Sequence, residues 1–322
     1  MNKTSGSLDY LFDPRRVPPE GFVTKGLDIE VKDLFKTYII TPEIQVKALR
    51  GVSFKVVKGS LSVVIGPSGS GKTTLLNIIG CLDKPTSGSV LIDTIDVTSL
   101  NEKILEKIRL SVIGFVFQSL NLIPILSALE NVALPMIAFN VPREVRIRRA
   151  KWLLNEVGLS DRALHKPFEL SGGQQQRVAI AVSLANDPPI VIADEPTAEL
   201  DYENAVRVME LLWKLSVEYG KTILVSTHDY RIVTKSNTVF RLEDGKLIDI
   251  YKPTEFVEVK SSKTSEITDI LRKRLSRVEE DIKELVSRYS RGELSLEDFN
   301  REYSRLRNLY DALRELLITI SK

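Results

Sequence analysis

The sequence predicts an α/β fold built on a largely parallel sheet, and three observations point to it. Short, largely apolar runs recur at residues 61–65, 190–193 and 222–225. Runs of that length without polar alternation are strands covered on both faces, as in a parallel sheet flanked by helices. Segments of helical length and periodicity lie between them, so strands and helices alternate along the chain. The first run also opens directly into Gly66-Pro67-Ser68-Gly69-Ser70-Gly71-Lys72-Thr73, followed by the helical Thr74-Leu75-Leu76-Asn77-Ile78-Ile79. That is a strand–loop–helix unit.

Taken in order, residues 1–26 gather Pro14, Pro18 and Pro19 with Gly and Ser and read as a partly extended N-terminal tail. Within it, Asp9-Tyr10-Leu11-Phe12 is a candidate docking segment. From Leu27, apolar Leu27, Ile29 and Val31 alternate with charged residues, the pattern of a half-buried strand, and Tyr38 follows. Residues 46–49 and 52–56 read as two further strands, and Lys58-Gly59 turns the chain into the 61–65 strand. After the loop helix come a turn at 84–89, a short strand at 90–92 and a polar helix near 102–110. The strand at 113–117 ends in Gln118. Helical periodicity continues to Ser171 and includes a basic run, Arg143, Arg146, Arg148, Arg149 and Lys151, expected to be a solvated helix face. Leu170-Ser171-Gly172-Gly173-Gln174 then opens an apolar helix that runs through Ala185. The strand at 190–193 ends in Asp194-Glu195-Pro196, a helix over 202–219 stops at Gly220, and the strand at 222–225 leads to Ser226-Thr227-His228. Residues 238–242 and 246–248 read as edge strands around an Asp244-Gly245 turn.

Composition bounds the function. With 322 residues, 43% hydrophobic and 27% charged, the chain has room for one large domain or two modest ones. Its 45 basic and 43 acidic residues nearly cancel, which argues against a nucleic-acid partner bound by bulk charge. Cys81 is the single cysteine; it cannot form an intramolecular disulfide and reads as a buried structural thiol. No stretch approaches the ~20 apolar residues of a membrane span. The expected protein is soluble, reaching a membrane only through another chain.

The glycine-rich loop has the pattern G-x-x-x-x-G-K-[ST], whose glycines let backbone N–H groups turn inward around phosphates. The following helix aims its positive end at the same place. Lys72 would reach the β- and γ-phosphates and Thr73 would hold Mg²⁺. Asp194 and Glu195 end a buried strand, where one carboxylate commonly holds Mg²⁺ and its neighbour can polarise an attacking water. Ser171, Gly172 and Gly173 at a helix start form a second anion-binding turn. One triphosphate does not need two such sites, so the economical account gives the second turn to the nucleotide of another copy.

At this point residues 27–250 are identified as resembling the ATP-binding cassette (ABC) ATPases, whose signature is Leu-Ser-Gly-Gly-Gln. The resemblance implies an ABC-type P-loop NTPase nucleotide-binding domain with a helical subdomain at about 119–185, using ATP and Mg²⁺. It assigns Tyr38 to adenine stacking, and the loop Gly66, Pro67, Ser68, Gly69, Ser70, Gly71, Lys72 and Thr73, with Thr74, to the phosphates. Gln118 becomes the glutamine that approaches the metal and the transport subunit. Thr73, Gln118 and Asp194 make the metal set. Glu195 is the general base, His228 the sensor of the γ-phosphate, and Lys72 and Gln118 assist them. Ser171, Gly172, Gly173 and Gln174, with Asp201, would contact ATP across a head-to-tail dimer.

Local wording narrows the resemblance. Residues 78–88, Phe115-Val116-Phe117-Gln118, Asn121-Leu122-Ile123-Pro124 and Ala128-Leu129-Glu130-Asn131-Val132 look like the macrolide-exporter and lipoprotein-release group. Such a resemblance implies a peripheral subunit at the cytoplasmic membrane face, driving a separately encoded permease that would dock near residues 120–135. A non-transport, mechanotransmitting ATPase of the cell-division type is the alternative.

Beyond the cassette, residues 251–263 read as a linker and 264–322 as a C-terminal antiparallel helical hairpin. Leu271, Leu275, Val278, Ile282, Leu285 and Tyr289, then Leu296, Phe299, Tyr303, Leu306, Tyr310, Leu313, Leu317 and Ile320, recur at spacings of three and four. Arg291-Gly292-Glu293 lies between the two series.

Overall fold

Along the chain the elements are β1 (Ile29–Ile39), β2 (Gln45–Val56), β3 (Leu61–Ile65), α1 (Lys72–Ile79), β4 (Ser87–Ile92), β5 (Ile95–Asp96), α2 (Glu102–Ser111), β6 (Ile113–Val116), α3 (Ala128–Ala138), α4 (Arg143–Glu156), α5 (Gly172–Ser183), β7 (Ile190–Asp194), α6 (Tyr202–Val217), β8 (Thr222–Thr227), β9 (Thr238–Glu243) and β10 (Lys246–Tyr251). This computed structural model describes residues 9–41, 44–229, 233 and 236–253, and, towards the C-terminus, 275, 278–279, 281–290, 299, 302–303, 306–307 and 310. The chain divides into two units, Met1–Pro253 and Thr254–Lys322.

Among the described residues the strands form two sheets. One is antiparallel, in the order β2-β1-β4-β5; the other has six strands in the order β10-β9-β3-β8-β7-β6. In the larger sheet β9, β3, β8, β7 and β6 are parallel and β10 is antiparallel to β9. The expected parallel core is therefore present. Residues 46–56 differ from expectation: they form one strand, and irregularities in its pairing with β1 absorb the break at Gly51. The strand at 238–242 is not an edge, because β9 lies between β3 and β10.

Alternation along the buried strands divides the core. Val63, Ile65, Val191, Ala193, Ile223 and Val225 pack with residues of α3, α4, α5 and α6. Val64, Ile190, Ile192 and Leu224 face the other way, into a layer with α1, α2 and the antiparallel sheet. Register brings Ile65 beside Thr227 and Asp194 beside Ser226, so β3, β7 and β8 end together. Loops leaving the carboxyl ends of such strands are where α/β sheets carry their ligands.

Local chemistry fixes the helix starts around that edge. Gly71 precedes α1 at its N-cap position, at φ 100°, where an added Cβ would meet the Ala48 carbonyl at 2.5 Å. Ser171 caps α5 in a reciprocal box with Gln174, and the Asp201 side chain caps α6 by accepting from the Asn204 N–H at 2.9 Å.

Two expectations are overturned in the first unit. From Asp9 to Gly26 the N-terminal segment is packed, not a loose tail: Leu11 is fully buried, Val17 is 4% exposed, and Phe22 contacts the Trp152 and Tyr219 rings. Proline stiffness and backbone acceptors explain this. Arg149 donates to the Pro18 and Gly21 carbonyls, and Arg16 reaches those of Asp187 and Ser111. The basic run on α4 is accordingly not all solvated, since Arg149 is wholly buried among those carbonyls while Arg143, Arg148 and Lys151 are exposed. Cys81 is buried, and burial pushes its thiol up to about 12.

In the second unit, 281–290 is helical. Tyr289 stacks on Phe299 with ring centroids 4.4 Å apart, and the Tyr310 hydroxyl donates to Glu279 at 2.9 Å. These two contacts pair residues across 291–298 in antiparallel order. Val278 and Leu285 of the expected apolar series are each 4% exposed, Tyr251 belongs to β10, and what else was expected of 251–263 and 264–322 falls largely outside the described residues.

Candidate nucleotide site

A cleft of about 1150 Å³ opens over the carboxyl ends of the central strands. Pro67, Ser68, Gly69, Gly71, Lys72, Thr73 and Thr74 line its floor, Gln118, Glu195 and His228 one side, and Tyr38 with Val46 and Lys47 the rim. Three residues widely separated in sequence meet at its centre. The Lys72 ammonium, 5% exposed, donates to the Gly66 and Pro67 carbonyls at 2.9 and 3.1 Å and lies 3.3 Å from Glu195 Oε1. The other Glu195 oxygen, Oε2, is 2.6 Å from His228 Nδ1. A cation, a carboxylate and an imidazole thus stand in one line, the first two joined by an ion pair and the last two by a hydrogen bond.

Glu195 sits at φ 48°, a conformation rare for a non-glycine residue. Its N–H is held by the Ser226 carbonyl at 3.1 Å and the Ser226 hydroxyl at 3.0 Å. The same hydroxyl donates to Asp194 Oδ1, so one serine on β8 holds the Asp194 carboxylate and the Glu195 backbone at the end of β7. Asp194 stays half-buried behind the cleft.

The loop is pressed from behind and open in front. A Cβ on Gly66 would lie 2.1 Å from the Leu242 carbonyl, whereas among the described residues nothing beyond its chain neighbours stands within 4 Å of one on Gly69, at φ 79°. The rear support is the β9–β10 turn: Gly245 N–H donates to the Ser70 carbonyl at 3.0 Å, and the Gly245 carbonyl accepts from Arg50 N–H at 2.8 Å. Gly245 has φ 73°, and its Cβ would be 2.6 Å from the Ala48 carbonyl. Gly245→Ala should therefore push this turn off the loop. We expect a stability loss of about 1–3 kcal/mol in urea unfolding and weaker ATP binding by calorimetry. Unchanged affinity would mean that the turn does not shape the loop.

An anion fits this cradle because inward-facing backbone, a helix start and a buried ammonium converge on it. The described residues contain no group of three or more His, Cys, Asp and Glu able to hold a metal by themselves. Of the expected donors, Thr73 and Gln118 line the cleft, and the Asp194 carboxylate lies behind it at the end of β7. So sparse an oxygen set suits Mg²⁺, which takes one or two protein ligands and completes its shell with phosphates and water.

Not every expected residue joins the cleft. Ser171, Gly172 and Asp201 are exposed at the starts of α5 and α6 and do not line it; Gly173 is buried against Asn204, and Gln174 is occupied in the Ser171 cap. The Ser70 side chain is buried behind the loop, its hydroxyl without a hydrogen-bond partner among the described residues. His165 has no place at the cleft and contacts Arg162 at 3.2 Å. Sequence reasoning missed Ser226, Gly245, Asp83 and Lys36. Only Lys36 left a signal, two residues before Tyr38 on the same strand.

Tyr38 is 38% exposed. Its hydroxyl donates to Asp83 at 2.7 Å and also meets the Thr74 side chain. Burial first, then the neighbouring Asp83 carboxylate, raises its phenol above the ordinary tyrosine value.

Comparison with known proteins agrees with this geometry. The family described as ABC transporter matches residues 49–198. A lipoprotein-releasing system ATP-binding protein, LolD, of Syntrophus aciditrophicus is 43% identical over 220 residues, covering 68% of this chain and 98% of that one. A macrolide export ATP-binding/permease protein, MacB, of Aggregatibacter actinomycetemcomitans is 44% identical over 234 residues, 73% of this chain and 36% of its own length. Among solved structures, a dimeric post-hydrolysis state of the ATP-binding cassette MJ0796 bound to ADP and phosphate matches with a TM-score of 0.66. That protein, from Methanocaldococcus jannaschii, is 47% identical in this match, which covers 70% of this chain and 98% of the other. The strand–loop–helix cleft, the ordered motifs and these likenesses agree: the chain belongs to the ABC transporter family, in the group that includes the lipoprotein-release and macrolide-export ATP-binding proteins.

Proposed function

We propose that the chain is the Mg²⁺-dependent ATP-hydrolysing subunit of an ABC transporter, closing in pairs, head to tail, around two ATP molecules to drive a separate membrane permease from its cytoplasmic face. One observation carries the reading. Lys72, Glu195 and His228 share a single cleft, while the exposed Ser171, Gly172 and Asp201 point to a surface that a second copy would complete.

Within that arrangement Lys72 leaves its loop carbonyls to hold the outer phosphates, and backbone N–H groups at the start of α1 hold the rest. Glu195 accepts a proton from water as it attacks, and His228, already bonded to Glu195, fixes the carboxylate's direction and reads the terminal phosphate. Bound through Thr73, Gln118 and Asp194, Mg²⁺ would neutralise phosphate charge. Asp201, Gly173 and Gln174 shape the surface that meets the partner copy.

No helix among the described residues is long and apolar enough to cross a membrane. Exposed apolar side chains near the permease-docking stretch support a protein partner there: Ile125 is 77% exposed, Leu164 79% and Phe168 75%.

A mixing experiment tests the shared site. Lys72→Ala spoils a chain's own loop, and Ser171→Arg spoils what it offers its partner. Each variant alone should lack turnover. Mixed equally, half the pairs are mixed pairs with one intact site, so activity should return to about a quarter of the wild-type value. No recovery, with both variants folded, would place the whole site in one chain and end the proposal.

A further inference from the structure

The rim of the cleft holds a contact network with no role in the chemistry described so far. Tyr38 lies on β1, in a different sheet from the phosphate loop. Its hydroxyl donates to Asp83 Oδ2 at 2.7 Å, and Asp83 Oδ1 takes the Lys36 ammonium at 2.7 Å. That ammonium also donates to the Lys84 carbonyl at 2.6 Å and stands 4.7 Å from the centroid of the Tyr38 ring. It is well covered, with the Lys36 side chain only 12% exposed.

Asp83 is itself fixed. It follows the end of α1 closely, and the N–H groups of Leu82 and Asp83 both donate to the Asn77 carbonyl of that helix. Two further bonds tie the same turn to β1: Thr86 N–H to the Phe35 carbonyl at 2.8 Å, and Thr37 N–H to the Thr86 hydroxyl at 2.9 Å. The far end of the phosphate-loop helix is thus bonded to the strand that presents the aromatic ring.

We infer that Lys36 and Asp83 are positioning residues that lock the Tyr38 ring as a platform for the nucleotide base and set its distance from the phosphate loop. The inference rests on the reading of Tyr38 as the base-stacking residue. Held at its hydroxyl and backed by a cation, the ring cannot swing away when its open side is empty, so stacking a base costs little ordering. A cation within about 6 Å of an aromatic centroid is attracted to the ring, and burial strengthens the attraction. The network also gives selectivity. A ligand must span from Lys72 to Tyr38 to gain both ends, so a nucleoside triphosphate benefits and a bare triphosphate does not.

Calorimetry on the full-length chain tests this with ATP and inorganic tripolyphosphate as probes. Asp83→Asn and Lys36→Met should each weaken ATP binding about three- to tenfold. Tripolyphosphate affinity should stay within about twofold. Tyr38→Phe removes only the tether and should shift ATP in the same direction, which keeps the test open should Asp83→Asn fail to fold. In steady-state assays the loss should appear in KM and not in kcat. Equal weakening of both ligands would show a general structural role and overturn the inference, as would unchanged ATP affinity in the folded variants. Tyr38→Ala separates the two ideas. If it leaves ATP binding unchanged, the base-stacking reading itself fails; if it weakens ATP while the Lys36 and Asp83 variants do not, only the locking role fails.

Discussion

Glu195→Gln should lower ATP turnover by about 10²- to 10⁴-fold while leaving ATP bound. The substitution keeps the shape of the side chain and removes its basicity. Position is already dictated by the backbone: Glu195 is held at φ 48° by two bonds from its N–H to Ser226, and neither needs the carboxylate. An amide can still lie near Lys72 and His228, so the fold of the cleft should survive. It cannot accept a proton from water. Lys72 loses an ion-pair partner 3.3 Å away and becomes more available to phosphate, so affinity for ATP should hold or rise. A carboxylate that served only to pair Lys72 would behave in the opposite way, changing KM and stability and sparing kcat. Single-turnover and steady-state assays with Mg²⁺ distinguish the two, and undiminished turnover would remove Glu195 from the chemistry.

What was legible in the sequence was whatever repeats locally. Leu61–Ile65 reads as a buried strand because four of its five residues are apolar, and the structure buries all five, Ser62 included. The phosphate loop was legible because its glycines and lysine are contiguous and each has a local reason to be there. Contacts between distant segments were not legible. Ser226 orients Asp194 and Glu195 only because β7 and β8 pair in one particular register. Asp83 reaches Tyr38 across 45 residues, and Gly245 reaches Ser70 from a turn at the far end of the cassette. Arg149 is the clearest case. In sequence it is one of five cations on a helix, and nothing local separates it from exposed Arg148 beside it. Its burial depends on an N-terminal segment whose prolines and glycines suggest a loose tail, yet whose carbonyls become its acceptors.

That buried cluster yields the other large effect: Asp187→Ala should cost about 3–5 kcal/mol of folding stability. Asp187 has no exposed surface, and three cations surround it. Lys221 Nζ is 2.6 Å from its Oδ1, Arg149 Nη2 is 3.8 Å from the same oxygen, and Arg16 Nη1 is 3.9 Å from Oδ2. Oδ2 also accepts from the N–H groups of Val23 and Thr24, which seats the N-terminal segment. The excess positive charge is tolerated because carbonyls meet the guanidinium groups at the ends of two helices: Ser111 beside α2, and Leu184 and Ala185 beside α5. The Phe22 ring adds a face toward Arg149 and Lys221. Even so, burial outweighs these attractions and depresses Lys221 to about 8 and Arg149 to about 10. Without Asp187, Lys221 loses the carboxylate that pairs with it at 2.6 Å, and its value should fall further. The sign of the pH dependence follows. A buried lysine with a depressed value burdens the fold fully while it stays protonated, and the burden lifts as pH rises through that value. In the wild type this relief begins near pH 8; in Asp187→Ala it begins lower, so the destabilisation should be larger at pH 6.5 than at pH 8 in urea unfolding. A deficit that does not shrink as pH rises would show that the cluster acts through packing and not through charge.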